Sequence, residues 1–470
     1  MATELRARIE DGLADHRVRA NLRRALDGLV VKRRSAFPDA DELAGLRDQG
    51  LAIRAHALAH LPDLLEELER NCERNGIRVH WAETAEEGNR IVLDILRRHG
   101  ARLLIKGKSM VSEEMELNAF LEKEGIEAVE TDLGELIIQL AGERPVHIIA
   151  PAIHKDRRQI GELFAARFPD IPYSEDAEEL TAAARRIMRE KFQGATAGLS
   201  GVNFAVAETG TLCLVENEGN GRMCTTAPDV HIAVTGIEKA IARLDQVPPL
   251  LTLLTRSATG QPITTYFNMI SGPRAEGERD GPKEVHLVLL DNGRSRIYSD
   301  PELQATLRCI RCGACMNHCP VYTRLGGHPY GTVYPGPIGS VLEPQLHGVD
   351  LLGELAEASS LCGACGEVCP VLIPIPSLLN RLRHEGVRGA GSSRVLGQGG
   401  RRKPIQGLAW GVWTWVNAGA GRYRTATGLI RRLRSLQPGR LGAWTRTREA
   451  PRVAPRGLHQ LAQEEGFDRE

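Results

Sequence analysis

Two cysteine runs hold the residues best suited to chemistry in this chain. The first is Cys309-Ile-Arg-Cys312-Gly-Ala-Cys315-Met-Asn-His-Cys319-Pro320, and the second is Cys362-Gly-Ala-Cys365-Gly-Glu-Val-Cys369-Pro370. Cys312, Cys315 and Cys319 recur at an offset of fifty residues as Cys362, Cys365 and Cys369, whereas the partner of Cys309 is Ser359. Thiols at successive two-residue gaps, each run closing on Cys-Pro, are the signature of bacterial two-cluster ferredoxins. A zinc ribbon would instead draw one cysteine pair from each of two hairpins. In the ferredoxin arrangement the last cysteine of each run serves the other cluster. One cubane then takes Cys309, Cys312, Cys315 and the remote Cys369, and the other takes Cys319, Cys362 and Cys365. Ser359 stands at the fourth position of the second set. That leaves open a three-iron cluster, a four-iron cluster with a Ser, water or other ligand, or a thiol from elsewhere. Cys224 could supply such a thiol only if the domains pack closely.

A second group of polar residues falls where an α/β sheet would bind a ligand. Short apolar strands and helices alternate from Gly76 to about Ile297, which argues for an α/β domain with a largely parallel sheet. Ligands in such sheets sit beyond the carboxyl ends of strands. Lys106-Gly-Lys108-Ser109 follows a strand there, as do Asp132 with Glu135, and His154-Lys155 after an expected strand at 146–151. A single helix is expected over 113–123. Glu208-Thr209-Gly210 reads as a hairpin turn between two strands, the second of which runs into a Gly/Asn-rich polar loop that carries Arg222 and then His231, before a strand Ile232-Ala-Val. Lys108, Ser109, Glu208, Thr209, Arg222 and His231 form the candidate ligand loop. Lys106-Gly-Lys-Ser lacks the upstream glycine of a phosphate loop, and no Gly-x-Gly-x-x-Gly follows any strand. Cys213 reads as a core thiol in a strand, and Cys224 as a loop residue with no evident base.

The elements that must hold these groups divide the chain into four parts. Residues 1–72 are helical by periodicity, broken and restarted around Pro38, Asp39 and Asp41. Residues 73–298 form the α/β domain, 299–389 the cluster domain, and 390–470 a basic tail opening on a Gly/Ser/Arg-rich linker near Gly389. His56 and His60 lie four apart with no third ligand nearby and read as surface residues. Formal net charge is zero, so no global charge argues for nucleic acid. Residues 381–456 nevertheless carry 17 Lys/Arg against Glu385 and Glu449. Together with Trp410, Trp413, Trp415 and Trp444, that charge suits an acidic partner, an anionic membrane surface or a disordered basic tail. No apolar run reaches the length of a spanning helix, and the charged N-terminus lacks a signal-peptide core. Cysteines used as cluster ligands suit a reducing, cytoplasmic setting.

The helical start, Gly107-Lys-Ser-Met110, Ala207-Glu-Thr-Gly-Thr211, the two cysteine runs and the Trp-bearing tail together resemble the lactate utilization protein B (LutB) family over nearly the full chain. The resemblance implies a Rossmann-like α/β domain, akin to sugar isomerases and coenzyme A transferases, joined to an α-helical ferredoxin-type domain. It implies two 4Fe-4S clusters on the cysteine sets given above, so seven thiols do not depart from the family pattern. It also implies a cytoplasmic electron-transport role, at the inner membrane face if the tail binds lipid, in oxidising L-lactate to pyruvate. The implied companions are a Cys-Cys-Gly-type redox subunit and a second LUD-type protein. Two rival expectations stand beside it. In one, the α/β domain itself oxidises a 2-hydroxy acid, with Lys108, Arg222 and His231 holding the carboxylate and taking a proton. In the other, the chain is an iron–sulfur subunit of another dehydrogenase.

Overall fold

The computed structural model describes residues 2–387, 404–440, 445 and 449–467. The chain forms two units, Met1–Gly400 and Arg401–Glu470. The first opens with four helices, α1 (Ala2–Ala14), α2 (His16–Ala36), α3 (Ala40–Ala59) and α4 (Leu61–Arg74). The break between α2 and α3 has a local cause. Asp39 turns its carboxylate onto the amides of Asp41 and Glu42, supplying two of the donors that a helix start leaves unpaired.

A six-stranded, all-parallel sheet follows, in the order β1 (Ile77–Ala82), β10 (Glu284–Leu290), β7 (Val230–Gly236), β4 (Ala197–Gly201), β2 (Leu103–Lys106) and β3 (Glu127–Glu130). The second sheet runs β8 (Ala240–Ile241), β5 (Phe204–Val206), β6 (Thr211–Glu216) and β9 (Tyr266–Ile270). β5 and β6 pair antiparallel around Gly210, whose φ of +64° suits the expected turn. The crossover helices are α5 (Ala85–Arg98), α6 (Met110–Glu114), α7 (Leu117–Lys123), α8 (Leu133–Ala141), α9 (Arg157–Arg167), α10 (Ala177–Gly194), α11 (Asn220–Thr226) and α12 (Val247–Ala258). The architecture is the expected α/β fold joined to a ferredoxin-type region of short helices.

One apolar core runs through Leu22 and Leu68 of the helical start, Val206 and Leu287 of the sheets, and Leu378 of the cysteine-bearing region. A second core, with Val92, Ile232 and Val288, fills the space between α5 and the opposite face of the parallel sheet.

Three local expectations fail for identifiable reasons. Residues 146–151 form bends and turns instead of a strand. The Val146 carbonyl accepts from the Tyr322 hydroxyl, and the His147 ring lies 2.9 Å from Asn317 Oδ1, so the segment serves as a ledge for the cysteine-bearing region. The helix expected over 113–123 splits into α6 and α7 at Glu116, whose φ is +51°. The Gly/Asn-rich loop after β6 contains α11.

The second unit holds helices Pro404–Asn417 and Ala420–Arg432. Trp410, Trp413 and Trp415 are exposed on the first, with Arg422 stacked 4.8 Å over Trp415. Trp444 and the linker near Gly389 lie outside the described residues. Among the described residues no helix is long and apolar enough to cross a membrane.

Candidate metal centre

The fifty-residue repeat is a repeat of backbone shape. Arg311 and Leu361, one residue before Cys312 and Cys362, have φ of +61° and +54°. Gly313 and Gly363 follow at +73° and +89°, and each opens a four-residue helix, Ala314–Asn317 or Ala364–Glu367. A non-glycine residue in this region costs about 1–2 kcal/mol, a strain typical of ligand loops. At Gly313 a Cβ would also lie 3.1 Å from the His147 ring, so this turn has little room for a side chain.

These turns gather the thiols into two groups. Cys309, Cys312, Cys315 and Cys369 line one cavity, closed by Ile148, Ile338, Val371 and Ile373. Burial pushes the Cys315 thiol well up, and the charges of Cys312, Cys309 and Cys369 push it further. The second group is Cys319, Cys362 and Cys365. Burial raises Cys365 to about 11, with Cys319 and Cys362 adding to the rise. Thiols pressed together in apolar surroundings resist ionisation, and a thiophilic metal that displaces their protons relieves that cost. The amides of Arg311, Tyr322 and Ile373 donate to the Sγ atoms of Cys309, Cys319 and Cys369 at 3.4, 3.4 and 3.3 Å. All-sulfur donor sets with N–H···S bonds fit iron–sulfur clusters.

Positive charge surrounds the first group. Lys239 Nζ donates to the Cys309 carbonyl at 3.2 Å, and burial pulls its pKa down to about 7. Arg54, on α3, is buried and donates to the carbonyls of Arg308, Leu307, Ala240 and Glu238. Arg311 stacks 4.6 Å over the Tyr334 ring and lies 3.5 Å from Glu238. Glu238 pairs with Arg294 at 2.7 Å, and Arg294 pairs with Glu114 of α6 at 2.8 Å. Burial opposes the Glu238 charge, yet Arg294, Arg311 and Lys239 together hold its pKa down at about 2. A continuous chain of buried charge thus ties the first cysteine loop to the α/β domain.

A larger cavity of about 330 Å³ opens at the carboxyl ends of β2 and β4, and its wall includes Lys108, Ser109, Asn203, Glu216, Lys239 and Arg311. Arg311 and Ile148 also line the thiol cavity, so the two are separated by a shared wall. Of the six residues in the candidate ligand loop, only Lys108 and Ser109 line this space.

The other four are elsewhere. Glu208 accepts from the Leu244 amide, and Thr209 gives its carbonyl to Asn75, in a turn against which α4 docks. Arg222 is exposed on α11. His231 is buried in β7, 2.8 Å from Ser200 Oγ, with its pKa lowered by burial to about 3. Cys224 is buried with Sγ 3.4 Å from Thr131 Oγ1, committed to the α/β sheet and away from the cysteine loops. Lys106 is consumed by Glu130 at 2.6 Å and Glu113 at 3.3 Å. Asn203, Lys239 and Arg311 escaped the sequence reading. Only Arg311 carried a signal there, its place inside a cysteine run.

Comparison with known proteins gives three family matches, to the LUD domain at residues 65–290, the 4Fe-4S dicluster domain at 305–373, and the lactate utilisation protein B C-terminal region at 381–467. The chain is 44% identical to the lactate utilization protein B of Bacillus subtilis (strain 168) over 389 residues, 83% of this chain and 81% of that one. It is 41% identical to the protein of that name from Anoxybacillus flavithermus over 458 residues, covering 95% of each. It is 40% identical over 457 residues to the "Uncharacterized electron transport protein YkgF" of Escherichia coli (strain K12), covering 96% and 94%.

Proposed function

The chain belongs to the lactate utilization protein B family, and on that premise we propose that it carries electrons in the oxidation of L-lactate to pyruvate. The observation that carries the reading is the partition of seven thiols into two adjacent groups, with Cys369 crossing from the second run to the first group. Cys309, Cys312, Cys315 and Cys369 hold one cluster, and Cys319, Cys362 and Cys365 the other. Bound 4Fe-4S clusters supply one-electron redox capacity. The chain's own residues set the conditions. Ile148, Ile338, Val371 and Ile373 exclude water from the first group, and backbone amides donate to three sulfurs. Lys239, Arg54 and Arg311 offset negative charge. Ser359 Oγ already accepts from the Leu361 amide at 3.2 Å, which leaves it a weak fourth ligand for the second group.

Cys362 is exposed while Cys312, Cys315 and Cys369 are buried. Cys319 and Cys365 are buried as well, so the second group reaches the surface through Cys362, and that edge is where a protein partner can exchange electrons. The partners in this reading are a Cys-Cys-Gly-type redox subunit and a second LUD-type protein. The basic C-terminal unit, with its exposed tryptophans, is the docking surface for an acidic companion or an anionic membrane.

Anaerobic protein mixed with L-lactate tests the reading by cluster bleaching and electron paramagnetic resonance. Reduction is expected only when the companion proteins are present. Reduction by the chain alone would favour a second reading, in which the α/β domain binds the organic acid. The cavity lined by Lys108 and Lys239 is the observation behind that alternative. Arg222 and His231 would have no part in it.

A further inference from the structure

Strand β10 begins with Glu284, and alternation along a strand places Glu284 and His286 on one face. His99 ends α5, which packs on that face. The Glu284 carboxylate oxygen Oε2 lies 3.5 Å from His99 Nε2 and 3.5 Å from His286 Nε2. The ligand atoms of the three residues all lie within 4.8 Å of one another. Gaps of 3.5 Å are too long for good hydrogen bonds. They match the edge of a tetrahedron whose centre-to-ligand bonds are about 2.0–2.2 Å, as at zinc.

Two further observations point the same way. His286 is fully buried, yet its Nε2 has no hydrogen-bond partner, a costly state for a buried polar atom. Its other ring nitrogen, Nδ1, lies 3.0 Å from His80 Nε2. A metal-binding imidazole ordinarily keeps such a contact through its second nitrogen, which fixes the ring and directs the free lone pair at the ion. Another Glu/His group, Glu143, His154 and His328, makes a useful contrast. There His154 Nε2 lies 2.8 Å from the Glu143 carboxylate, so that imidazole nitrogen is already engaged in a hydrogen bond, whereas His286 Nε2 is not.

We propose that His99, Glu284 and His286 bind a divalent transition-metal ion of the zinc class, outside the cysteine-bearing region. Two imidazoles and one carboxylate form the donor set. The side chains of His99 and Glu284 are 26% and 29% exposed, which opens the fourth position to water. Arg78, more than half exposed, pairs with Glu284 Oε2 at 2.5 Å and orients the carboxylate from outside. Its positive charge holds the site to moderate affinity. The ion ties β10 to the end of α5 and, through His80, to the edge strand β1, and so acts as a staple on that side of the sheet.

The test is to equilibrate anaerobically purified full-length protein, clusters intact, with zinc sulfate and remove excess metal. Metal analysis and zinc K-edge X-ray absorption then read the site. The expected result is about one zinc per chain beside the iron, a nitrogen/oxygen shell at about 2.0–2.1 Å, and a zinc-dependent rise in Tm. His99→Ala removes the zinc and the rise in Tm. This variant is decisive because the ring sits partly exposed at a helix end, so its loss does not hollow the core. His80→Ala weakens binding by about 10–100-fold. No stoichiometric zinc, equal zinc in His99→Ala, or a sulfur shell near about 2.3 Å, which means metal captured by cysteines, overturns the proposal.

Discussion

The ammonium of Lys239 donates to the backbone carbonyl of Cys309 at 3.2 Å, in a pocket of protein that leaves the lysine 6% exposed. With its pKa pulled down to about 7 by burial, the lysine is a cation below neutral pH, and in that form it favours whichever redox state carries more negative charge. Lys239→Met is therefore expected to lower the reduction potential of the first cluster by roughly 50–150 mV. That is the single-electron equivalent of about 1–3 kcal/mol for charges several ångströms apart at an effective dielectric near 20. A redox titration followed by electron paramagnetic resonance measures it, and an unchanged potential would remove Lys239 from the account of cluster tuning.

Arg54 satisfies four backbone carbonyls from two segments of chain, 238–240 and 307–308. Arg54→Met keeps much of the volume and deletes every donor. A loss of roughly 3–5 kcal/mol in unfolding free energy is expected, the usual cost of stripping a partner from buried polar groups. Iron content should fall as well, since Leu307 and Arg308 lead directly into Cys309. Denaturant titration with iron analysis reads both, and wild-type values of the two would show the clamp to be dispensable.

His231 gives a pH dependence whose sign is fixed. Burial lowers its pKa from the ordinary 6.5 to about 3, so below 6.5 the unfolded chain binds a proton that the folded chain refuses. Its contribution to stability is complete above pH 6.5 and is lost as pH falls toward 3, at about 1.4 kcal/mol per pH unit. Buried His147, lowered to about 4, acts in the same direction. Urea midpoints should fall steadily between about pH 6.5 and pH 5, and His231→Gln should flatten the slope by close to one proton. Parallel slopes in the two proteins would contradict this.

Ser359→Cys places a thiol where the fifty-residue repeat calls for one. The variant is expected to retain its second cluster longer in air, read as iron per chain and as resonance signal after timed exposure. Decay at the wild-type rate would mean that this backbone position does not reach the cluster.

The parallel sheet, the helical start and the cysteine repeat were legible because each leaves a local pattern. Apolar runs such as Val285–Leu290, the cap at Asp39, and Cys-Pro endings at fixed spacing can be read without neighbours. The cavity beside the cysteines was not. Lys239 and Asn203 owe their placement to a second sheet whose pairing, β8 on β5 and β6 on β9, joins residues far apart in sequence. The candidate loop failed for a related reason. Glu208-Thr-Gly is polar because α4 must dock on it: Asn71 Nδ2 donates to the carbonyls of Ala207 and Glu208. His231 reads in the sequence as the end of the polar loop, just before a strand at Ile232, but the structure starts β7 at Val230. A central position in the sheet buries both faces of that strand.

The Arg54 clamp also constrains the order of events during synthesis. Its partners at Leu307 and Arg308 lie 253 and 254 residues downstream. At roughly 5–20 residues per second, α3 leaves the ribosome roughly 10–50 s before those carbonyls exist. Through that interval the helical start has no complete core and presents a guanidinium without its final acceptors, so it cannot mature as an independent N-terminal module. Docking of α3 and closure of the first cysteine loop are one late, long-range event. A delay in iron delivery would then hold open the beginning of the chain as well as the cysteine-bearing region.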